Sequence, residues 1–249
     1  MLTLDGKSMV VIGGSGGVGR QVVEAGIRNG MGVLAVGRQE GRLRELASEL
    51  PGTGILALDA TDESAPAKVF NVMTPDVLVV AAGAFPPAAP LHEQSWQQFS
   101  VNWETDVKIA FHFSKAALSL PLRAGSSVII ISSGAALAGS PNSGGYAGAK
   151  RTQLFIANYG QKESDRLGLG LRFSALAPRM MSDTDLGKHA IAGYARYLGI
   201  STADFIRSMS SPPTPADVAT AVVELAIDAD RAQGKAFIVS GKSLEAVPA

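Results

Sequence analysis

The chain has 249 residues, 46% of them hydrophobic, enough for one large core. Lys plus Arg and Asp plus Glu stand at 22 each, and zero formal charge excludes the basic excess of a nucleic-acid binder and the basic face of a membrane-surface protein. There is no cysteine, which excludes disulfides, thiolate nucleophiles and cysteine metal sites.

Met1 to Lys7 lacks the charged and apolar regions of a secretory signal. No apolar run reaches the roughly 18–20 residues that span a bilayer. A cytoplasmic protein with a small-molecule ligand, and neither nucleic-acid nor membrane partner, is expected.

The first apolar run is Met9-Val10-Val11-Ile12. It leads into Gly13-Gly14-Ser15-Gly16-Gly17-Val18-Gly19 and then a helical pattern over 18–29. Such a turn lets a pyrophosphate reach the main chain at a helix N-terminus. Two registers fit: Gly14, Gly16 and Gly19 as G-x-G-x-x-G, or Gly13, Gly17 and Gly19 as G-x-x-x-G-x-G.

Val33-Leu34-Ala35-Val36 is the second run, followed by Gly37-Arg38. An acid here would hold the ribose 2′-hydroxyl of NAD, whereas an Arg accommodates the 2′-phosphate of NADP. Arg38 and the missing acid favour NADP, with NAD as second choice. Later runs are Ile55-Leu56-Ala57-Leu58, Val77-Leu78-Val79-Val80, Val128-Ile129-Ile130-Ile131, Leu171 to Ala177 and Ala236-Phe237-Ile238-Val239. They are apolar on successive residues, as in strands covered on both faces. Helical spacing fills 40–49, 63–73, 96–120, 146–167 and 215–228. Strand–helix alternation predicts a doubly wound, Rossmann-type α/β domain with seven parallel strands and helices on both faces. Residues 180–213 break the rhythm with an amphipathic helix at Ile191, Tyr194, Ala195 and Leu198. They read as a small lid or as a surface excursion.

Tyr146 and Lys150 stand four apart at the start of a helical pattern, so phenol and ammonium share a face. An adjacent cation favours a phenolate and lets a tyrosine exchange protons. Upstream, the fifth strand ends in Ser132-Ser133, and strand alternation lets only one of these face the site. Asn102 lies in the helical stretch before it.

Taken together, these motifs resemble the compact branch of the short-chain dehydrogenase/reductase family over essentially the whole chain. The resemblance matches the glycine turn to Gly13–Gly19 and the adenine-contacting acid to Asp59, followed by Ala60. It matches the Asn, Ser, Tyr, Lys tetrad to Asn102, Ser133, Tyr146 and Lys150, and the proline near the nicotinamide to Pro178. It implies that Tyr146 exchanges the substrate proton, Ser133 binds the substrate oxygen, Lys150 binds the nicotinamide ribose, and Asn102 holds a relay water. It also implies that the helices at 96–120 and 146–167 pair into a homotetramer or dimer. The implied activity is hydride exchange between a nicotinamide cofactor and a carbonyl or alcohol. A non-catalytic dinucleotide-binding, redox-responsive regulator on the same fold is the alternative.

The sequence departs from the family pattern in places. The usual Asn-Asn-Ala-Gly after the fourth strand is Val80-Ala81-Ala82-Gly83, leaving backbone groups of Ala81, Ala82 and Gly83 for cofactor contact. Gly16 replaces a frequent Arg. Arg179 follows Pro178 in place of glycine and points into the site or out to solvent. His92, His112 and His189 have no metal-ligand spacing, so no metal is expected. Trp96, Phe99 and Trp103 recur at helical spacing, the mark of core or interface packing.

Overall fold

The computed structural model describes residues 4–247. In chain order the elements are β1 (Ser8–Ile12), α1 (Gly17–Arg28), β2 (Gly32–Gly37), α2 (Glu40–Glu49), β3 (Thr53–Ala57), α3 (Ala65–Val72) and β4 (Val77–Val80). A 3-10 turn (Leu91–Glu93) precedes α4 (Trp96–Asn102), a π turn (Trp103–Val107) and α5 (Lys108–Ser119). Then come β5 (Ser127–Ile131), α6 (Ala135–Ala138), α7 (Gly144–Arg166), β6 (Arg172–Pro178), α8 (Asp185–Leu198) and α9 (Thr202–Ser208). The chain ends with α10 (Pro215–Ile227), α11 (Ala229–Ala232), β7 (Ala236–Ser240) and β8 (Ser243–Ala246).

The strands form one sheet in the order β3-β2-β1-β4-β5-β6-β7-β8. The first seven pair in parallel and β8 lies antiparallel on β7. The sheet therefore has eight strands among the described residues, one more than the sequence predicts. Ser243-Leu244-Glu245-Ala246 is too polar to read as a strand and forms an exposed edge.

Alternation explains why the strand runs are apolar throughout. Met9, Val11, Val33 and Ala35 face a core closed by α1, α2 and α10. Val10, Ile12, Leu34 and Val36 face a second core closed by α3, α5 and α7. Each fully buried side chain of this size contributes about 1.5–3 kcal/mol. Chain order reverses between β1 and β4, which opens a crevice beyond the carboxyl ends of the strands.

The stretch 96–120 is not one helix. A capping box of Ser95 and Gln98 starts α4, and the π turn separates it from α5. Trp96 is 72% exposed and Trp103 39%, so core packing is overturned for both; Trp96 stacks on Phe99 at 5.8 Å instead. No helix among the described residues is long and apolar enough to cross a membrane.

Candidate active site

The glycine turn is built around close approaches. Gly13 has φ +90, and a β-carbon there would stand 2.6 Å from the Ala82 nitrogen. One on Gly19 would stand 2.1 Å from the Gly13 carbonyl oxygen, so α1 reaches β1 only because residue 19 is glycine. Gly17 also has positive φ, at +50, which fits the register Gly13, Gly17, Gly19. Gly14 is tight for another reason, lying against Ala35. Around Gly16 and Gly17 a β-carbon would meet nothing within 4 Å. Gly16 caps α1 with no side-chain hydrogen bond, so the first-turn N–H groups and the positive end of the helix dipole face an open approach. Val18 turns the other way and packs on the core. This donor set suits a pyrophosphate.

Around the turn, Ser15 lies beside the end of β2, since a β-carbon on Gly37 would stand 3.2 Å from its hydroxyl. Arg38 is exposed just beyond. The Asp59 carboxylate accepts from the Thr61 N–H (2.9 Å) and hydroxyl (2.8 Å). These two bonds hold its pKa below the ordinary carboxylate value, with a smaller contribution from the Arg38 charge. Ala60 is buried in the second core. The Ala81 N–H is already bonded to the Ile12 carbonyl at 2.8 Å. Pro178 ends β6, and its carbonyl accepts from the Gly134 N–H at 2.7 Å.

At the end of β5 the two serines divide. Ser132 is 6% exposed and its hydroxyl donates to the main-chain carbonyl of Lys150 at 2.8 Å. Ser133 is half-buried and accepts from the Ala135 N–H at 3.2 Å. Ser133 therefore keeps a hydroxyl proton that no described group accepts. On α7 the Lys150 ammonium lies 5.6 Å from the centroid of the Tyr146 ring, as the i, i+4 spacing predicts. The helix comes close to α4 because Gly145 leaves room for the Phe99 carbonyl and Gly148 for Trp103.

Asn102 does not touch Lys150. Its side-chain N–H groups donate to the Ala84 carbonyl (2.8 Å) and to Asp106 Oδ1 (3.2 Å). The group that meets the ammonium is Asp106, whose Oδ2 is 3.0 Å from Lys150 Nζ. The sequence reading missed Asp106. The available signal was an acid at helical spacing from the buried Ile109, Ala110 and Phe113, a position where a charge demands a partner. Gly83, expected at the cofactor, lies against this carboxylate, with its would-be β-carbon 2.6 Å from Oδ2.

Arg179 is exposed, and its guanidinium reaches the Ser210 hydroxyl at 3.4 Å. Over the crevice, α8 rests on the proline-rich loop after β4. His189 Nε2 meets the Pro86 carbonyl (3.0 Å), and Arg196 donates to that of Ala88 (3.1 Å). The Tyr194 hydroxyl donates to Ser140 at 2.6 Å, and its ring stacks on Phe205. Of the expected apolar lining, Ile191 is buried, whereas Tyr197 and Leu198 are about half exposed. A cleft of about 340 Å³ lies between Gly17, Gln21, Thr184 and Pro215, where α1, α8 and α10 begin. No group of three metal-ligating side chains occurs among the described residues.

Comparison with known proteins bears on the family and the fold. The family model described as short chain dehydrogenase matches residues 7–195. A short chain dehydrogenase/reductase of Macrophomina phaseolina is 35% identical over 55% of this chain and 85% of its own length. L-fucose dehydrogenase of Bos taurus is 27% identical over 95% of this chain and 88% of its own. 2-keto-3-deoxy-L-fuconate dehydrogenase of Xanthomonas campestris is 28% identical over 96% and 80%. The crystal structure of NAD+-bound xylitol dehydrogenase superposes with a TM-score of 0.85 at 18% identity, covering 96% of this chain and 99% of that one. The chain belongs to the short chain dehydrogenase family and is an oxidoreductase of that family.

Proposed function

We propose that this chain transfers hydride between a nicotinamide cofactor, NADP(H) in preference to NAD(H), and a small ketone or secondary alcohol. The observation that carries the reading is the Lys150 ammonium held 5.6 Å from the Tyr146 ring, on a helix tied to the end of β5 by the Ser132 hydroxyl. The nicotinamide, when bound, accepts or supplies the hydride. The turn at Gly13, Ser15, Gly16, Gly17 and Gly19 would hold the pyrophosphate, and Asp59 and Ala60 the adenine side. Arg38 would take a 2′-phosphate through a planar, bidentate fork.

Tyr146 donates its proton to the substrate oxygen in reduction and removes it in oxidation. Ser133 hydrogen-bonds the same oxygen and fixes the substrate carbon. Lys150 favours the phenolate. Its ammonium donates to Gln153 and to the Ile131 carbonyl and is ion-paired with Asp106, which leaves one N–H for the ribose hydroxyls. In this reading the chain is one catalytic domain, and 180–213, with α8 and α9, is its substrate lid.

The exposed Phe111 on α5 and the exposed Phe155 and Tyr159 on α7 form apolar surface on adjacent helices. We assign this surface to pairing between copies, as a dimer or tetramer. Two of the named relatives carry a sugar or a sugar acid in their names, so such substrates belong in the test panel beside plainer carbonyls. The test is a spectrophotometric screen of NADPH and NADH oxidation over that panel. Turnover with NADPH the faster supports the reading. Binding of either dinucleotide with no turnover on any carbonyl or alcohol would favour a non-catalytic regulator instead.

A further inference from the structure

An ammonium has three N–H donors. Lys150 donates to Gln153 Oε1 (3.1 Å) and to the Ile131 carbonyl (3.3 Å), and its ammonium stands at ion-pair distance, 3.0 Å, from Asp106 Oδ2. The side-chain acceptors are themselves tied down. Asp106 Oδ1 accepts from the Ala84 N–H (2.9 Å) and from Asn102 (3.2 Å). The Gln153 amide donates to the Asp106 carbonyl at 3.1 Å. Asp106 is 1% exposed, Gln153 0% and Lys150 6%. Gly83 supplies the clearance that lets the backbone after β4 close over the carboxylate. The π turn of Trp103–Val107 brings Asp106 to this place. The site is thus a built clamp on one ammonium.

A lysine this deeply buried tends to lose its proton. Burial pushes the Lys150 pKa down, but the Asp106 carboxylate, aided by the Tyr146 phenol, outweighs burial and holds it above the ordinary lysine value. The same carboxylate has a second effect. It lies 3.0 Å from the ammonium, whereas the Tyr146 ring centroid lies 5.6 Å away, so it offsets part of the positive field at the phenol.

We propose that Asp106 is a positioning residue that fixes the Lys150 ammonium and damps its pull on Tyr146, so that the phenol releases its proton at a higher pH than a neutral residue at 106 would allow. This rests on the reading of Tyr146 as the proton-exchanging group. The titratable groups that face Lys150 are Asp106 from the π turn and Tyr146 from α7 itself. β5 offers the Ile131 carbonyl, and the Ser132 hydroxyl is turned to the Lys150 carbonyl.

The test is a phenolate titration by ultraviolet absorbance on the whole chain, which has four tyrosines. Subtracting Tyr146→Phe in each background isolates the Tyr146 component. In Asp106→Asn that component moves to lower pH by about one unit. In Gln153→Glu, which sets a second carboxylate against the ammonium, it moves to higher pH. Circular dichroism checks the fold, and if Asp106→Asn does not fold, Gln153→Glu decides alone. A Tyr146 component that stays in place, or moves the opposite way, in folded variants overturns the proposal. The titration needs no turnover. The shifts without oxidoreductase activity would overturn the proposed function and leave the assignment of Asp106 standing.

Discussion

The Ser132 hydroxyl donates to the main-chain carbonyl of Lys150 at 2.8 Å, tying the end of β5 to the opening turns of α7. This one bond sets Ser133, Tyr146 and Lys150 in a common frame. It also occupies the Ser132 hydroxyl, so the proposed substrate contact falls to Ser133. Ser132→Ala should lower stability by about 0.5–1.5 kcal/mol, the net contribution of one buried hydrogen bond, since the Lys150 carbonyl keeps its helical partner, with KM little changed. Ser133→Ala should leave the melting temperature near wild type and lower kcat by roughly 10²-fold or more. Thermal melts and steady-state kinetics on the two variants check the division.

The glycine turn makes a similar contrast. At Gly19 an added β-carbon would meet the Gly13 carbonyl oxygen at 2.1 Å, so Gly19→Ala must push α1 away from β1. It should cost at least about 2 kcal/mol and abolish tight dinucleotide binding. Gly16 has extended backbone, φ −167, and open space around it. Gly16→Ala should therefore fold as stably as wild type and still weaken dinucleotide binding, because the methyl group enters the phosphate approach. Calorimetric titration beside thermal unfolding separates the two effects.

Arg38 is the residue proposed to set the cofactor preference. Replacing it with Asp removes a charge-assisted contact, each of which contributes about 1.5–3 kcal/mol. The affinity for NADPH should fall roughly 10–100-fold while that for NADH holds or improves. Equal loss for both cofactors would show that Arg38 does not reach the 2′-phosphate.

The buried pair gives a pH dependence of stability with a defined sign. The Lys150 pKa is raised in the folded chain, so its contribution is fully present below the unfolded value of about 10.4. It is lost as pH rises through the higher folded value. Lys150→Met should cost about 3–5 kcal/mol near neutral pH, since it strands a buried carboxylate. Denaturant titrations should show the gap between wild type and variant narrowing only above about pH 10.4. A gap that narrows already near neutrality would contradict the raised value.

The sheet was legible because its strands are buried on both faces: Met9 to Ile12 can be apolar on every residue only if helices cover both sides. Tyr146 and Lys150 were legible because an unbroken helix places i and i+4 together. What sequence spacing cannot carry is a change of helical phase. The π turn at Trp103–Val107 sets Asn102 on the Ala84 carbonyl and turns Asp106 toward Lys150, and its sequence, Trp-Glu-Thr-Asp-Val, has no proline or glycine to mark the break. β8 escaped notice for a different reason. It is an edge strand whose order comes from pairing with β7, not from burying apolar residues.

The central claim, that Tyr146 exchanges the proton that accompanies hydride transfer, is tested most directly by NADPH oxidation with wild type and Tyr146→Phe on the best carbonyl from the panel. The variant keeps the ring beside Lys150 and lacks only the hydroxyl. It should bind NADPH as wild type does and lose turnover by about 10²–10⁴-fold, the usual worth of a positioned acid. Full turnover in Tyr146→Phe would contradict the mechanism.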